Sequence, residues 1–274
     1  MKIDLHSHSY FSDGFLSPKE VVKLSSEVCC DLFALTDHDT TEGIPEARIE
    51  ADKLGLNLIS GVEISAFWGN MAIHIVGLGI DISNDILQTG LEYNRELRKG
   101  RAEKIALGLW RSGIKDALEK TQSISGGHML TRTHFAQMLI NEGYCKDMKS
   151  VFRRYLTGKK PGGVRVEWDS FDEVINWIHA AGGKAFVAHP FRYRMTHTKI
   201  KNMLSDFKEA SGDGLEVVNA NSSTEEISLG DQWSENYDLL ASCGSDFHGW
   251  PNQRIQIGNL SDLPNPRRAV WSYL

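Results

Sequence analysis

The chain has 274 residues, 41% hydrophobic and 24% charged, which suits a globular protein with a sizeable core and excludes a disordered, collagen-like or disulfide-scaffold chain. Its 30 basic and 36 acidic residues give a formal net charge of −6, so no polybasic field recruits nucleic acid and any anionic ligand has to be held locally. Cys29, Cys30, Cys145 and Cys243 show no C-x-x-C spacing and read as reduced, mostly buried thiols, while the lack of a bilayer-length apolar run or an apolar leader in MKIDLHSHS points to the cytoplasm and to no membrane partner.

Short apolar runs bounded by turn or polar residues occur at 3–5, 32–35, 56–62 and 72–78, and again at 185–188, 215–218 and 239–242. Such near-continuous runs suit strands buried on both faces, as in a parallel sheet covered by helices. Helix starts fall between them. Ser17-Pro-Lys-Glu20 combines an N-cap, a proline at the first helical position and a capping-box glutamate ahead of Val21, Val22 and Leu24. Ser170-Phe-Asp-Glu173 repeats the arrangement before Val174, Ile175, Trp177 and Ile178, and that helix stops at Gly182-Gly183. Between 81 and 163 the strand signal gives way to helical segments, clearest at 95–110 and 134–142, with GKKPGG at 158–163 as the return linker. The class is therefore α/β: a barrel domain of residues 1–80 and 164–274 carrying a helical insert, 81–163.

Histidines and acids sit at the ends of the apolar runs. His6-Ser-His8 and then Asp13-Gly14 follow the first run, and Asp37-His38-Asp39 follows the second. Glu63 follows Gly61-Val62, His74 lies within AIHIVGLG, His189-Pro190 ends KAFVAHP, and Asp246 with His248 ends SCGSDFHG. In a parallel barrel the carboxyl ends of all strands meet on one face, so residues 240 apart in sequence converge there. Six imidazoles and several carboxylates at one place call for divalent cations, since unpaired carboxylates packed together would be driven to protonate. Mixed imidazole and carboxylate donors suit manganese, zinc or iron better than magnesium or calcium. His6 and His8, two apart on a strand, point the same way, as Asp246 and His248 do. His128, His179 and His197 lie away from strand ends and read as structural.

The ordered set H-x-H with D-G, DHD, GVEIS, HIVGLG, HP and SDFH resembles the polymerase and histidinol phosphatase (PHP) family along essentially the whole chain. The stretches TRTHFA at 131–136, VFRRYL at 151–156 and GKKPGGV resemble, within it, the nucleoside 3′,5′-bisphosphate phosphatases and 5′-to-3′ exoribonucleases of the RNase AM type. The resemblance implies a distorted (β/α)7 TIM-like barrel with a helical insert, and two or three divalent transition-metal ions, manganese first and zinc or iron next. It implies one metal on His6, His8, Glu63 and Asp246, a second on Asp13, His38, His189 and a bridging Glu63, and a third on His74 with His248 and His134.

Metals polarise a phosphoryl group without choosing the rest of the substrate, so a phosphate-holding set is needed as well. Arg98, Arg101, Arg132 and Arg192, with His134, are the candidates, because a guanidinium fork matches phosphate oxygens. Phe191, Tyr193 or Trp250 are candidates to stack a base. The expected activity is a metal-dependent phosphoesterase acting on the 3′-phosphate of nucleoside 3′,5′-bisphosphates, on 5′-phosphorylated short RNA in the 5′-to-3′ direction, or on both, with no obligate protein partner. Asp246 is the candidate acceptor of the nucleophile's proton and His248 the candidate aid to the leaving oxygen. A histidinol-phosphate phosphatase or other small phosphomonoesterase is the second reading, and a non-catalytic PHP module the third.

Overall fold

Seven strands, separated by helices except where β3 turns directly into β4, make up the barrel in the computed structural model, which describes residues 1–251 and 254–274. In chain order they are β1 (Ile3–Asp4), α1 (Pro18–Glu27), β2 (Leu32–Leu35), α2 (Ile44–Leu54), β3 (Asn57–Trp68) and β4 (Met71–Leu78). Four helices follow: α3 (Asp85–Arg111), α4 (Ala117–Ser125), α5 (Arg132–Asn141) and α6 (Met148–Val151). The barrel resumes with α7 (Phe171–Ala180), β5 (Lys184–Val187), α8 (His197–Glu209), β6 (Gly214–Asn219), α9 (Thr224–Asn236) and β7 (Leu240–Gly244). The capping signals act where the sequence puts them: Ser17 closes a full capping box with Glu20, and Ser170 accepts from the Glu173 amide.

The strands pair in chain order into one seven-stranded sheet. β1 to β3 and β5 to β7 are parallel. β4 departs from the parallel expectation, running antiparallel to both neighbours. The cause is local: β3 continues past Val62 to Trp68 and reverses through Gly69, at φ +56°, and Asn70, leaving no room for a crossover helix. The two edges of the sheet meet. The Leu5 amide donates to the Cys243 carbonyl at 3.0 Å, and the Asp246 amide to the His6 carbonyl at 2.8 Å. Gly244 permits this approach, since a Cβ there would lie 2.2 Å from the His6 Cβ.

The barrel core joins strand residues such as Val62, Ile64, Ile75, Phe186 and Val217 to Ile178, Phe207 and Trp233 of the surrounding helices. A separate apolar cluster, with Ile105, Leu109, Phe135, Leu139, Val151 and Leu156 at its centre, holds α3 to α6 together. The long helix α3 belongs to both, because Leu87 and Leu91 sit in the barrel core while Ile105 and Leu109 sit in the second cluster. The 158–163 linker returns over Gly108, where a Cβ would meet the Pro161 carbonyl oxygen at 1.8 Å. All four cysteines are free and three are buried, whereas Cys29 is exposed just beyond α1. Among the described residues, no helix is long and apolar enough to cross a membrane.

Candidate active site

Barrel geometry brings the strand-end residues onto one face, and at its centre is Glu63, which, contrary to the strand-end expectation, lies within β3 because that strand runs on to Trp68. One Glu63 oxygen lies 2.9 Å from His74 Nδ1 and 3.0 Å from His189 Nε2. The other lies 2.8 Å from His38 Nδ1, 3.3 Å from His6 Nε2 and 3.4 Å from His8 Nε2. His74 reaches this group from mid-strand because antiparallel β4 offers its first half to the face where the parallel strands end; Ser65 on β3 is its register partner. His189 and Asp246, together with Asp39, adopt left-handed backbone at φ +31°, +56° and +48°. Non-glycine residues hold that conformation at a cost of about 1–3 kcal/mol each, which only an over-determined surrounding sustains.

The donors fall into three overlapping groups: His6, His8, Glu63 and Asp246; His8, Asp13, His38 and His248; and His38, Glu63 and His74. The first is the set expected from the resemblance. The others are partitioned differently, for a topological reason. His248 follows β7, beside β1, so its ring lies 4.2 Å from that of His8 and its Nε2 3.1 Å from Asp13. His74, on β4, is confined to Glu63 and His38. His189 contacts Glu63 without joining a group.

Cations fit this face. His38 Nδ1 and Glu63 Oε2 are 2.8 Å apart, yet neither makes a hydrogen bond, and Asp13 Oδ1 is likewise buried without one. Donor atoms this close and mutually misaligned suit a shared cation rather than each other. Two tautomers are set from behind. Glu216 accepts from His6 Nδ1–H at 2.5 Å, and the Asp246 carbonyl accepts from His248 Nδ1–H at 2.9 Å, so in the neutral, ligating form of each ring the Nε2 lone pair faces the cluster. Burial opposes charge on Glu63, but His38, His74 and His6 hold its carboxyl well below the usual range. Asp13 and Asp246 are likewise held low against burial, chiefly by His248 and by His6. Burial also works against a charged His248, but Asp13 and Asp246 lift it to about 10.

The insert and the barrel loops beside it supply the opposite charge. Arg98, Arg101, Arg132, Arg165 and Arg192 line the same cavity, of about 400 Å³, as Asp13, Glu63, His74, Asp246 and His248. Three of these guanidiniums lie over aromatic rings at 5.4–5.7 Å: Arg98 on Trp168, Arg132 on Phe152 and Arg165 on Phe67. Stacking of this kind fixes the plane of the fork while leaving its N–H edge available. Arg98 also donates to Asp39 at 2.6 Å and to Ser65 at 2.7 Å. Arg192 pairs with Asp246 and donates to Asn219 at 2.6 Å. Arg101 differs. Among the described residues no carboxylate lies within ion-pair distance of it and its Nε is buried without a partner, while burial, then Arg132 and Arg98, push its pKa well down.

Several expectations need correcting. His134 is turned away from the metals: its Nδ1 accepts from the Thr131 amide at 3.2 Å, closing the N-terminal cap of its own helix, and burial holds it neutral with a pKa of about 4. Phe191 stacks on Trp233, the Tyr193 hydroxyl accepts from the His74 amide at 2.8 Å, and the Trp250 indole donates to the Asp13 carbonyl at 2.6 Å. The rings that do line the cavity are Phe67, Phe152 and Trp168. His179 pairs with Asp213 at 2.8 Å, and His197 packs edge-on against Trp233.

Sequence reasoning missed three supporting groups. Glu216 holds His6 and accepts from the His189 amide at 2.6 Å; its signal was a carboxylate inside the apolar run at 215–218. Asp39 accepts from the Ser65 amide, Asn94 and Arg98, tying α3 to the His38 loop. Thr133, on α5, donates to Asp13 at 2.8 Å and ties the insert to a metal-ligand candidate.

The PHP domain family model matches residues 4–223, and this chain belongs to that family. It is a hydrolase. It is 41% identical over 273 residues to a 3′,5′-nucleoside bisphosphate phosphatase of Chromobacterium violaceum, covering 99% of this chain and 96% of the relative. It is 41% identical over 270 residues to the 5′-3′ exoribonuclease Rnm of Escherichia coli K12, covering 98% and 92%. Among solved structures, an amidohydrolase from C. violaceum with bound sulfate and no metal superposes with a TM-score of 0.94 at 41% identity, over 99% of this chain and 95% of that one. A Bifidobacterium adolescentis structure assigned to the metal-dependent phosphoesterases gives 0.84 at 26% identity, over 99% and 96%.

Proposed function

We propose that this chain is a metal-dependent phosphoesterase that removes the 3′-phosphate from nucleoside 3′,5′-bisphosphates and releases 5′-phosphorylated nucleotides from short RNA in the 5′-to-3′ direction. The observation that carries this reading is the juxtaposition in one cavity of the Glu63-centred cluster with arginines that include the unpartnered Arg101. A buried guanidinium without a carboxylate is stabilised by an arriving anion. With a 5′-phosphate on Arg101 and Arg132, the next phosphate along the chain falls toward Glu63 and Asp246. That phosphate is the 3′-phosphate of a bisphosphate and the first internucleotide linkage of RNA, so one geometry serves both substrates. The relatives named as a bisphosphate phosphatase and an exoribonuclease fit this dual reading.

His6, His8, Asp13, His38, Glu63, His74, His189, Asp246 and His248 would hold two or three cations, and the imidazole-rich donor set favours manganese, with zinc or iron as alternatives. Such cations supply Lewis-acid stabilisation of phosphoryl charge and a nucleophile near neutral pH. The protein's own groups do the rest. Arg192, beside Asp246, faces the oxygens of the reacting phosphate, Arg98 braces the His38 loop through Asp39, and residues 81–163 form the cap that closes the cavity. Asp246 is placed to take the proton of the attacking water, and His248, in the two-cation arrangement that leaves its Nε2 protonated, to give one to the departing oxygen. A cytoplasmic site of action accords with such substrates. A histidinol-phosphate phosphatase is the weaker reading, since a monophosphate leaves Arg101 and Arg132 without an anion.

The test compares short RNAs bearing a 5′-phosphate or a 5′-hydroxyl, with a nucleoside 3′,5′-bisphosphate alongside. Stepwise release of nucleoside 5′-monophosphates from the phosphorylated end, and much slower cutting of the hydroxyl end, is the expected result. Equal rates on the two ends, or cleavage of a circular RNA, would refute the anchoring role of the 5′-phosphate.

A further inference from the structure

The catalytic cavity, at about 400 Å³, sits near the lower end of the roughly 300–1,000 Å³ that small-ligand sites occupy. It has room for the terminal nucleotide, and the rest of an RNA has to lie outside it. A second cavity, of about 930 Å³, opens at the seam between barrel and insert and is lined by Tyr10, Phe15, His128, Lys146 and Trp250 among others. The two cavities share one wall. Asp13 and Thr133 face the first, the adjoining Gly14 and His134 face the second, and Trp250 is bonded to the Asp13 carbonyl between them.

The lining of the second cavity suits nucleobases. Tyr10 and His128 stack with ring centroids 4.6 Å apart and planes 15° from parallel. Phe15 leans on Trp250 at 5.3 Å and leaves half of its side chain exposed at the edge, an apolar face without a protein partner. The Lys146 ammonium is exposed at the rim, and the single acid there, Asp147, is engaged in capping α6 through the Ser150 amide. A third cavity, of about 710 Å³, is the alternative path, but Glu42, Glu92, Glu96 and Glu103 outnumber Arg95 and Lys99 on its walls, which repels a polyanion.

We propose that the second cavity is the binding site for the RNA nucleotides downstream of the scissile phosphate, with Phe15 as the base-stacking surface, the Tyr10–His128 pair as a rigid wall and Lys146 as a backbone contact. The proposal rests on the exonuclease half of the function proposed above. It makes the two substrates separable, because a nucleoside 3′,5′-bisphosphate has no downstream nucleotide to lose.

Phe15→Ala, Phe15→Tyr and Lys146→Ala variants, assayed on a short 5′-phosphorylated RNA and on a nucleoside 3′,5′-bisphosphate, provide the test. Phe15→Ala should raise KM for the RNA about tenfold, the size of one lost base–aromatic stack, Phe15→Tyr should restore it, and Lys146→Ala should raise it and flatten its salt dependence. Kinetics on the bisphosphate should match the wild type, which also verifies that each variant is folded. An unchanged RNA KM, or equal losses on both substrates, overturns the proposal. A wild-type enzyme that hydrolyses the bisphosphate and no RNA overturns it while leaving the phosphatase reading intact; one that hydrolyses neither overturns both.

Discussion

The barrel face and the insert face of the catalytic cavity are built on opposite principles. On the barrel side, imidazoles and carboxylates crowd within hydrogen-bonding range of one another and are braced from behind by Glu216 and by backbone carbonyls. On the insert side, guanidiniums are spread over aromatic rings, and among the described residues Arg98 is the one cavity arginine of the insert tied down by a carboxylate. One face has the chemistry of a cation-binding donor set and the other that of an anion-binding surface, a pairing that matches the proposed phosphate-ester substrate. The difference also teaches how each side is placed: the ligand side is fixed by the strands and the loops that follow them, whereas the arginine side rides on α3 and α5, which share an apolar cluster of their own and are tied to the barrel through Asp39 and Thr133.

Removing Glu63 should break the barrel side outright. Glu63→Ala should lose more than one metal equivalent by elemental analysis and lower kcat on a bisphosphate by about 10³-fold or more, several kcal/mol of transition-state stabilisation. Loss of at most one equivalent would show that Glu63 does not bridge. On the opposite side, Arg132→Ala should raise KM for a nucleoside 3′,5′-bisphosphate by about 10- to 100-fold, the worth of a charge-assisted hydrogen bond of ~1.5–3 kcal/mol. Metal content and turnover of a simple aryl phosphate should hardly change, and equal losses on both substrates would place Arg132 in the chemistry or the fold.

Glu216→Gln sharpens the contrast from behind the metals. It keeps the shape but no longer demands a proton on His6 Nδ1, so metal affinity should fall by about 10-fold, as for other groups that orient metal-binding histidines. KM for the bisphosphate should stay the same once metal is saturating. Wild-type affinity in a metal titration would count against the bracing role. The smallest effect belongs to the insert scaffold. Thr131 caps α5 by accepting from the Thr133 amide, so Thr131→Ala should cost about 1 kcal/mol. Hydrogen exchange should rise in α5 and not in β1 or β7; uniform loosening would mean that barrel and insert unfold as one unit.

Much of the candidate metal-binding side is legible in the sequence. Histidines and acids recur at the ends of the apolar runs, and the strand-end rule was enough to bring His6, His38, His189 and Asp246 together, while Glu63 joins them from within β3. The partition among metals was not legible, because it depends on which strands are neighbours: antiparallel β4 keeps His74 beside Glu63, and barrel closure sets His248 against His8. His134 shows a further limit, since adjacency to Arg132 says nothing about which way a helical side chain turns, and a buried cap needed its ring.

What the sequence determined by itself was local and periodic: apolar runs for strands, a capping box for α1 and a serine N-cap for α7, glycines where the chain turns, and a density of metal-binding side chains near strand ends. Tertiary structure decided what depends on contacts between distant segments: the reversed β4, the Glu216 carboxylate behind His6, the Thr133 and Asp39 ties between insert and barrel, and the unpartnered Arg101. The physical reason is the range of the interactions. Helix capping and side-chain periodicity act over a few residues, whereas the environment of a buried charge is set by whichever segments close around it, and in Glu216 and His6 those segments are 210 residues apart.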